Sequence, residues 1–323
     1  MASEQVYRAE AASDLREDFF KVALCLCAYF PLSSSIASLF LSAFSSSSNI
    51  ANAEDVAIAF SQSPLYSLYL LAISLVPISV CIFLYLALTK RKLTLLSLKP
   101  TVGKRGFAMF LALGLCSMPL SSAASSLWGK LLSYFEIAPS ETPAPQGAFA
   151  TVIFIVAHAI LAPILEELLF RSLILERLRR YGDVFAVIVS ALLFMLLHAS
   201  FSSMAYSFVS GVIFGLLAVY TGSVLCPMLL HFANNAISVA IILLSPVLTD
   251  KITNLAYVYL LVIFAVVSLI SFISIKKAGG FRLTFGGEMV KAARKASIVF
   301  SSLPMLIFMI MAISLAISAV WGG

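Results

Sequence analysis

Apolar runs about 20 residues long recur along almost the whole chain, and they restrict its fold more than any other feature. A helix needs about 20 apolar residues to cross the ~30 Å hydrocarbon core of a membrane. Of the 323 residues, 61% are hydrophobic and 11% are charged, whereas a soluble domain has about 25% charged residues. The pattern excludes an ordinary soluble enzyme and predicts a multi-pass protein of the cell membrane, in contact with lipid.

Backbone polar groups in lipid must be satisfied within the chain, so only helices and closed barrels can span a membrane. The alternating segments of about 10 residues that mark membrane strands are not seen in the sequence. We therefore predict an all-α polytopic transmembrane bundle of about eight or nine helices. The nine predicted spans are 19–43, 64–88, 106–132, 148–178, 184–199, 204–221, 224–246, 252–275 and 297–320.

Basic residues are distributed unevenly between the predicted loops, which predicts the orientation of the chain. With the N-terminus in the cytoplasm, 18 of the 21 Lys and Arg residues fall on the cytoplasmic side, and only Lys130 and Lys251 fall outside. We interpret those 18 as setting orientation alone, so the net charge of +6 indicates no nucleic-acid partner. The five cysteines lie within apolar runs, without the spacing of a disulfide framework, and are expected to be buried apolar side chains.

Three charged residues lie in the middle of the fourth apolar run: Glu166, Glu167 and Arg171. Ionisable groups at that depth are costly and suggest a functional site. On a helix, Glu167 and Arg171 are four residues apart and share a face, whereas Glu166 points ~100° away. We predict that Arg171 neutralises Glu167 and that Glu166 serves as a general base. The alternative is that all three form a structural lock between helices.

All three histidines of the chain, His158, His198 and His231, also lie in apolar runs. If the fourth and fifth helices form a hairpin turning near Gly182, His198 is level with Glu166. His231 lies early in the seventh helix. Asn235 follows it at i+4 on the same face, and Asn234 at i+3 is a close competitor for the same role. For His158, eight residues before Glu166, we expect only an interhelical hydrogen bond.

The groups expected to converge are a carboxylate, two imidazoles and an amide, which form a hydrolytic set. The Glu166 carboxylate can take a proton from water, and the N–H groups of the others can stabilise an oxyanion. Glu166, His198 and His231 could alternatively hold zinc with a water in the fourth position. No His-Glu-x-x-His segment is present, and we favour hydrolysis without a cofactor. Gly211-x-x-x-Gly215 is expected to allow close helix packing.

These residues resemble the motifs of the CAAX prenyl protease and bacteriocin-processing (CPBP) family of intramembrane endopeptidases, also called the type II CAAX or Abi family. Its Glu-Glu-x-x-x-Arg motif corresponds to Glu166 through Arg171, and its Phe-x-x-x-His motif to Phe194 through His198. Its His-x-x-x-Asn motif corresponds to His231 through Asn235. The resemblance covers about residues 148–240.

The resemblance implies that Glu166 with His198 activates the hydrolytic water, and that His231 and Asn235 form the oxyanion hole. Glu167 and Arg171 would support the site. We predict three parts of the chain: N-terminal transmembrane helices and loops at 1–147, a protease-like four-helix core at 148–246, and C-terminal transmembrane helices at 247–323. The flanking helices are not constrained by the resemblance.

The expected activity is hydrolysis of a peptide bond near the cytoplasmic side, in a peptide or protein substrate that is hydrophobic or lipidated. The alternative function is that of a non-catalytic membrane protein: an immunity factor, a scaffold or a transporter that uses the same polar residues for helix packing.

Overall fold

The computed structural model describes residues 2–48, 50, 52–90, 98–137, 145, 147–280 and 290–321. Every regular element within those ranges is helical, so the predicted all-α polytopic bundle is confirmed. The helices before the long central one are α1 (Ala2–Leu26), α2 (Tyr29–Ser47), α3 (Ala53–Ser61), α4 (Pro64–Thr89), α5 (Lys104–Gly114) and α6 (Ser117–Ser133). The central helix is α7 (Ala148–Tyr181). After it come α8 (Asp183–Leu197), α9 (Phe201–Thr221), α10 (Leu225–Leu244), α11 (Asp250–Lys277), α12 (Ala292–Phe300) and α13 (Leu303–Trp321).

Eight helical stretches of the described chain are long and apolar enough to cross a membrane. They correspond to eight of the nine predicted spans. The predicted fifth span is α8, which has 15 residues and is therefore about 22 Å long, shorter than the hydrocarbon core. By contrast, α7 has 34 residues and is about 51 Å long.

The first helical stretch begins well before the predicted residue 19, because the polar N-terminus continues the same helix. In α1 the largest buried apolar side chains are Leu15, Phe19, Val22 and Leu26, and this spacing of three and four residues places them on one helical face. That face belongs to the main core cluster, together with side chains of α7, α8 and α13. The N-terminal segment therefore packs against the centre of the bundle.

Helices α7 and α8 form the predicted antiparallel hairpin. The turn is at Gly182, whose φ of 125° is readily adopted only by glycine. Across the hairpin, the rings of Phe170 and Phe194 lie 5.2 Å apart, and the hydroxyl of Ser190 donates to the carbonyl of Phe170 at 3.0 Å. Phe170 and Phe194, each 12 residues from Gly182, thus face each other, as the predicted hairpin requires.

Helix α9 packs closely on α8 through its glycines. A Cβ added at Gly211 would lie 3.2 Å from the Cα of Ala191, and one at Gly215 would lie 3.2 Å from a methyl group of Val187. The predicted packing role of the two glycines is confirmed. This pairing also brings the start of α8 to the same end of the bundle as the end of α9.

That end, which we call the basic end, collects most of the basic residues of the described chain. Arg177, Arg179 and Arg180 close α7 there, and the backbone N–H of Thr101 donates to the carbonyl of Thr221 at 2.8 Å. Lys104 then begins α5 at this end. The basic residues are therefore gathered on one side of the bundle, as expected for a membrane protein with a single orientation. That this side is the cytoplasm stays a prediction.

Candidate functional site

Helix α7 changes its geometry on both sides of the two glutamates. It is π-helical at Val156–Leu161 and again at Leu168–Leu175, with an α-helical turn at Ala162–Glu167 between them. In the first π segment the N–H of Ala162 bonds to the carbonyl of Ala157, five residues back. Glu166 and Glu167 end the short α segment. π segments are rare and frequently occur at functional sites.

The Glu167 carboxylate is fully buried and has two partners. Its Oε2 lies 3.1 Å from Nε of Arg171, whose side chain is also completely buried. The predicted pairing of these two residues is confirmed. The guanidinium also donates to the carbonyl of Gly211 at 3.1 Å and lies 4.8 Å from the centre of the Phe194 ring. Arg171 thereby ties α7 to α9 at Gly211, the glycine that permits the close approach of α9 to α8.

The second partner of Glu167 is His231, on α10. Nδ1 of His231 donates to Oε1 of Glu167 at 2.9 Å. On the other side of the ring, Nε2 lies 3.7 Å from Oε2 of Glu166, too far for a hydrogen bond. Two consecutive carboxylates therefore flank one imidazole. The predicted convergence of Glu166 and His231 is found, and the direct contact of His231 with Glu167 was not predicted.

Glu166 differs from its neighbour in its surroundings. Its side chain is 18% exposed, whereas that of Glu167 is 0% exposed. Its Oε2 atom is buried and has no hydrogen-bond partner among the described residues. Because an ionised carboxylate only accepts hydrogen bonds, this oxygen is suited to receive a proton from a substrate or from water.

His198 follows the last residue of α8, where Ala199 reverses the chain with a φ of +44°. Nδ1 of His198 lies 2.8 Å from the carbonyl oxygen of Phe194. Since a carbonyl can only accept, Nδ1 carries the proton. In the neutral ring Nε2 is then left as an acceptor. The imidazole lines a cavity next to the site.

Asn235 is held by the first π segment. The N–H of Ala162 bonds to the carbonyl of Ala157, five residues back. By the same spacing the carbonyl of His158 would bond to Pro163, which has no N–H. Nδ2 of Asn235 donates to that carbonyl instead, at 2.8 Å. The amide has two N–H bonds, so one is still available to the cavity that Asn235 lines.

His158 stands apart from these residues. Its Nδ1 donates to the carbonyl of Phe154 at 3.2 Å, one turn back in α7. The expected interhelical hydrogen bond from this side chain is therefore wrong. It is the backbone carbonyl of His158, and not the imidazole, that connects two helices.

A cavity of about 510 Å³ adjoins the site. His198, His231 and Asn235 contribute to its wall. The other lining residues are Ser125, Phe194, Ser200, Ser202, Ser203, Tyr206, Ser207, Ser210, Asn234 and Ser238. The sequence interpretation overlooked the serines and Tyr206, although five serines within residues 200–210 of an apolar run were a visible signal.

Glu166, His198 and His231 are the residues that would hold zinc in the alternative interpretation. A zinc ion needs three protein ligands at about 2 Å from one point. Among the described residues, no group of three His, Cys, Asp or Glu side chains is placed to hold a metal ion. The side chains as placed here therefore do not fit a metal centre.

Comparison with known proteins identifies the segment that contains this site. Residues 148–237 match the family model described as "Type II CAAX prenyl endopeptidase Rce1-like". The chain is 35% identical over 111 residues to the "Membrane-embedded CAAX protease MroQ" of Staphylococcus aureus (strain USA300). That alignment covers 32% of this chain and 45% of the relative, so the chain spans about half the length of the curated relative it matches. No solved structure matches the chain. Residues 148–237 are therefore similar to the CPBP family, in agreement with the motifs found in the sequence.

Proposed function

We propose that this protein is an intramembrane endopeptidase, in which Glu166 activates the water that hydrolyses a peptide bond. The observation that carries the proposal is the placement of Glu166 and Glu167 on either side of His231. A cavity next to them also presents His198 and Asn235. The family match and the similarity to a membrane-embedded CAAX protease support peptide hydrolysis in a membrane.

In the proposed reaction Glu166 is the general base. Its unpartnered Oε2 takes a proton as the water oxygen bonds to the carbonyl carbon of the substrate. Nε2 of His198 accepts the other hydrogen of the same water and so directs a lone pair toward the substrate. When the tetrahedral intermediate collapses, the C–N bond breaks and Glu166 returns its proton to the leaving amine.

The oxyanion of the intermediate would be stabilised by Asn235 and His231. One N–H of the Asn235 amide donates to the backbone carbonyl of His158, and the other N–H would donate to the oxyanion. His231 donates to Glu167 through Nδ1, so it can donate to the oxyanion from Nε2 only when it is doubly protonated. The Glu167 carboxylate balances that charge. Glu167 and Arg171 are in this scheme positioning residues that hold the ring of His231.

The proposed reaction uses no metal, and a chelator tests this choice. We expect cleavage to be unchanged after exhaustive dialysis against a chelator. Loss of activity that returns with added Zn²⁺ would favour the zinc alternative. The substrate we propose is a membrane peptide or protein with a hydrophobic or lipidated segment. Cleavage near the cytoplasmic side stays a prediction.

The decisive test is cleavage of candidate peptides by the full chain in liposomes. A general base typically contributes about 10²–10⁴-fold to the rate, and we expect losses of that order for Glu166→Gln and for His198→Ala. Glu176→Gln is the matched control on the same helix, because Glu176 is half exposed and, within the described part of the chain, pairs with Arg179 alone. If Glu166→Gln cleaves as well as the unsubstituted chain, the proposal is wrong and the non-catalytic alternative is favoured.

A further inference from the structure

A second cavity adjoins the one beside the site. The inner cavity, of about 510 Å³, is the one lined by His198 and His231. The outer cavity, of about 380 Å³, is lined by Ser125, Gly129, Leu132, Ser133, Glu136, Ile137 and Ser202. Ser125 and Ser202 line both, so the two cavities meet at these serines. Each volume is within the range of about 300–1,000 Å³ that is typical of ligand pockets.

The outer cavity opens at the end of the bundle opposite the basic end. Helix α5 begins at the basic end with Lys104, and the helical stretch from Lys104 to Ser133 has 30 residues. Ser133 and the exposed Glu136 are therefore on the other side of a membrane. The site itself is far from the basic end, because Glu166 lies 15 residues before Tyr181, or about 22 Å along α7.

The wall of the inner cavity presents hydrogen-bond acceptors. The hydroxyl of Ser210 donates to the carbonyl of Tyr206 at 2.9 Å, and that of Ser238 donates to the carbonyl of Asn234 at 3.1 Å. Ser203 likewise donates to the carbonyl of Ser200. Since each hydroxyl proton is used, the oxygen lone pairs of these serines are what they offer to an occupant. Such a wall suits N–H groups, including the backbone amides of a peptide.

A different groove is suited to an apolar segment of a substrate. Between α8 and α12 lies a groove of about 370 Å³ with walls of Phe185, Ile188, Leu192 and Val299. It shares no lining residue with either of the serine-lined cavities. These polar and apolar grooves are thus separate, and of the two it is the polar one that reaches His198.

We propose that the two cavities form one hydrated channel, which admits a polar peptide segment to the site from the face at Glu136. This proposal rests on the proposed function, for which it names the part of the substrate that enters and the side from which it comes. Entry from that face is opposite to the cleavage near the basic, cytoplasmic side that the sequence predicted, so one experiment can separate the two.

Cysteine accessibility in the full chain tests the channel. Ser125→Cys and Ser202→Cys would be treated in sealed vesicles with a charged thiol reagent that does not cross membranes, added to one side at a time. Glu136→Cys reports the face of the channel mouth, and Ala278→Cys, just beyond α11, reports the basic end. Ser126→Cys is the matched control, since Ser126 neighbours Ser125 but lines neither cavity. The unsubstituted chain gives the background of the five native cysteines.

We expect Ser125→Cys and Ser202→Cys to be labelled from the same side as Glu136→Cys, and Ser126→Cys to stay unlabelled. A bulky adduct at Ser202→Cys should also stop cleavage, whereas treatment of the Ser126→Cys chain should not. Labelling of the two channel positions from the Ala278→Cys side, or from neither side while Glu136→Cys reacts, overturns the channel. Labelling is repeated in the Glu166→Gln chain, so the channel can fail or survive independently of the proposed catalysis.

Discussion

The buried pair of Glu167 and Arg171 sets the electrostatics of the site. Its existence could be predicted from the sequence, because spacing by four residues determines which side chains meet on one helix. The contact of Glu167 with His231 joins two helices through residues that are 64 positions apart in the sequence. No local pattern determines which of two adjacent glutamates faces a distant histidine, so this part of the site needed the structure.

Removal of one member of the Glu167–Arg171 pair should destabilise the protein far more than removal of both. In Arg171→Met, the completely buried carboxylate of Glu167 loses its cationic partner. We expect the free energy of unfolding to fall by about 3–5 kcal/mol. The double variant Glu167→Gln/Arg171→Met removes the uncompensated charge and should recover a large part of that loss. Thermal unfolding in detergent measures both. Equal stability of the single and double variants would contradict the coupling of the two charges.

At the scale of single helices, regular periodicity predicted the hairpin of α7 and α8 and the face that Gly211 and Gly215 share. It did not predict the π segments of α7, because they depend on hydrogen bonds that bypass the usual partners. The tie between Asn235 and the carbonyl of His158 was not predicted for the same reason. Pro163 was the visible signal of that irregularity.

This tie predicts a specific double-variant result. Asn235→Ala leaves a carbonyl in the bundle without its donor, which should destabilise the protein by about 1–3 kcal/mol. In a Pro163→Ala background the new backbone N–H can serve the same carbonyl, so the further loss caused by Asn235→Ala should be smaller. Unfolding midpoints of the four chains give the comparison. A loss of the same size in both backgrounds would exclude Pro163 as the cause of the tie.

At the scale of the whole molecule, the N-terminal helix is connected to the end of α7. Asp18 is 5% exposed and pairs with Arg177 at 2.6 Å and with Arg180 at 2.7 Å. The hydroxyl of Tyr181 also donates to it, at 2.8 Å, and Lys295 of α12 donates to the carbonyl of Tyr181. Burial lowers the pKa of Lys295. The interpretation of these basic residues as setting orientation alone is wrong for Arg177 and Arg180, because it took no account of the acidic residues in α1.

We expect Asp18→Asn to destabilise the bundle by about 2 kcal/mol, because Asp18 accepts several hydrogen bonds from charged groups. Asp14→Asn is the matched control. Asp14 is 61% exposed, and its one ion pair among the described residues is with Nη2 of Arg180 at 3.3 Å, so its loss should have little effect. Limited proteolysis within α1, together with the thermal midpoint, measures whether the N-terminal helix is released. An equal response of the two variants would mean that burial of Asp18 is unimportant.

The irregular geometry of α7 also affects how this chain should be compared with its relatives. In a regular α-helix, the number of residues between two positions fixes the angle between them. Leu168–Leu175 is π-helical and holds more residues per turn, so the distance in sequence from Glu166 to Arg177 does not fix their relative angle in that way. A relative with one residue fewer in this segment could keep both its carboxylates and its arginines in place. Sequence alignments of such proteins should therefore allow a single-residue gap inside this membrane helix, where gaps are ordinarily forbidden.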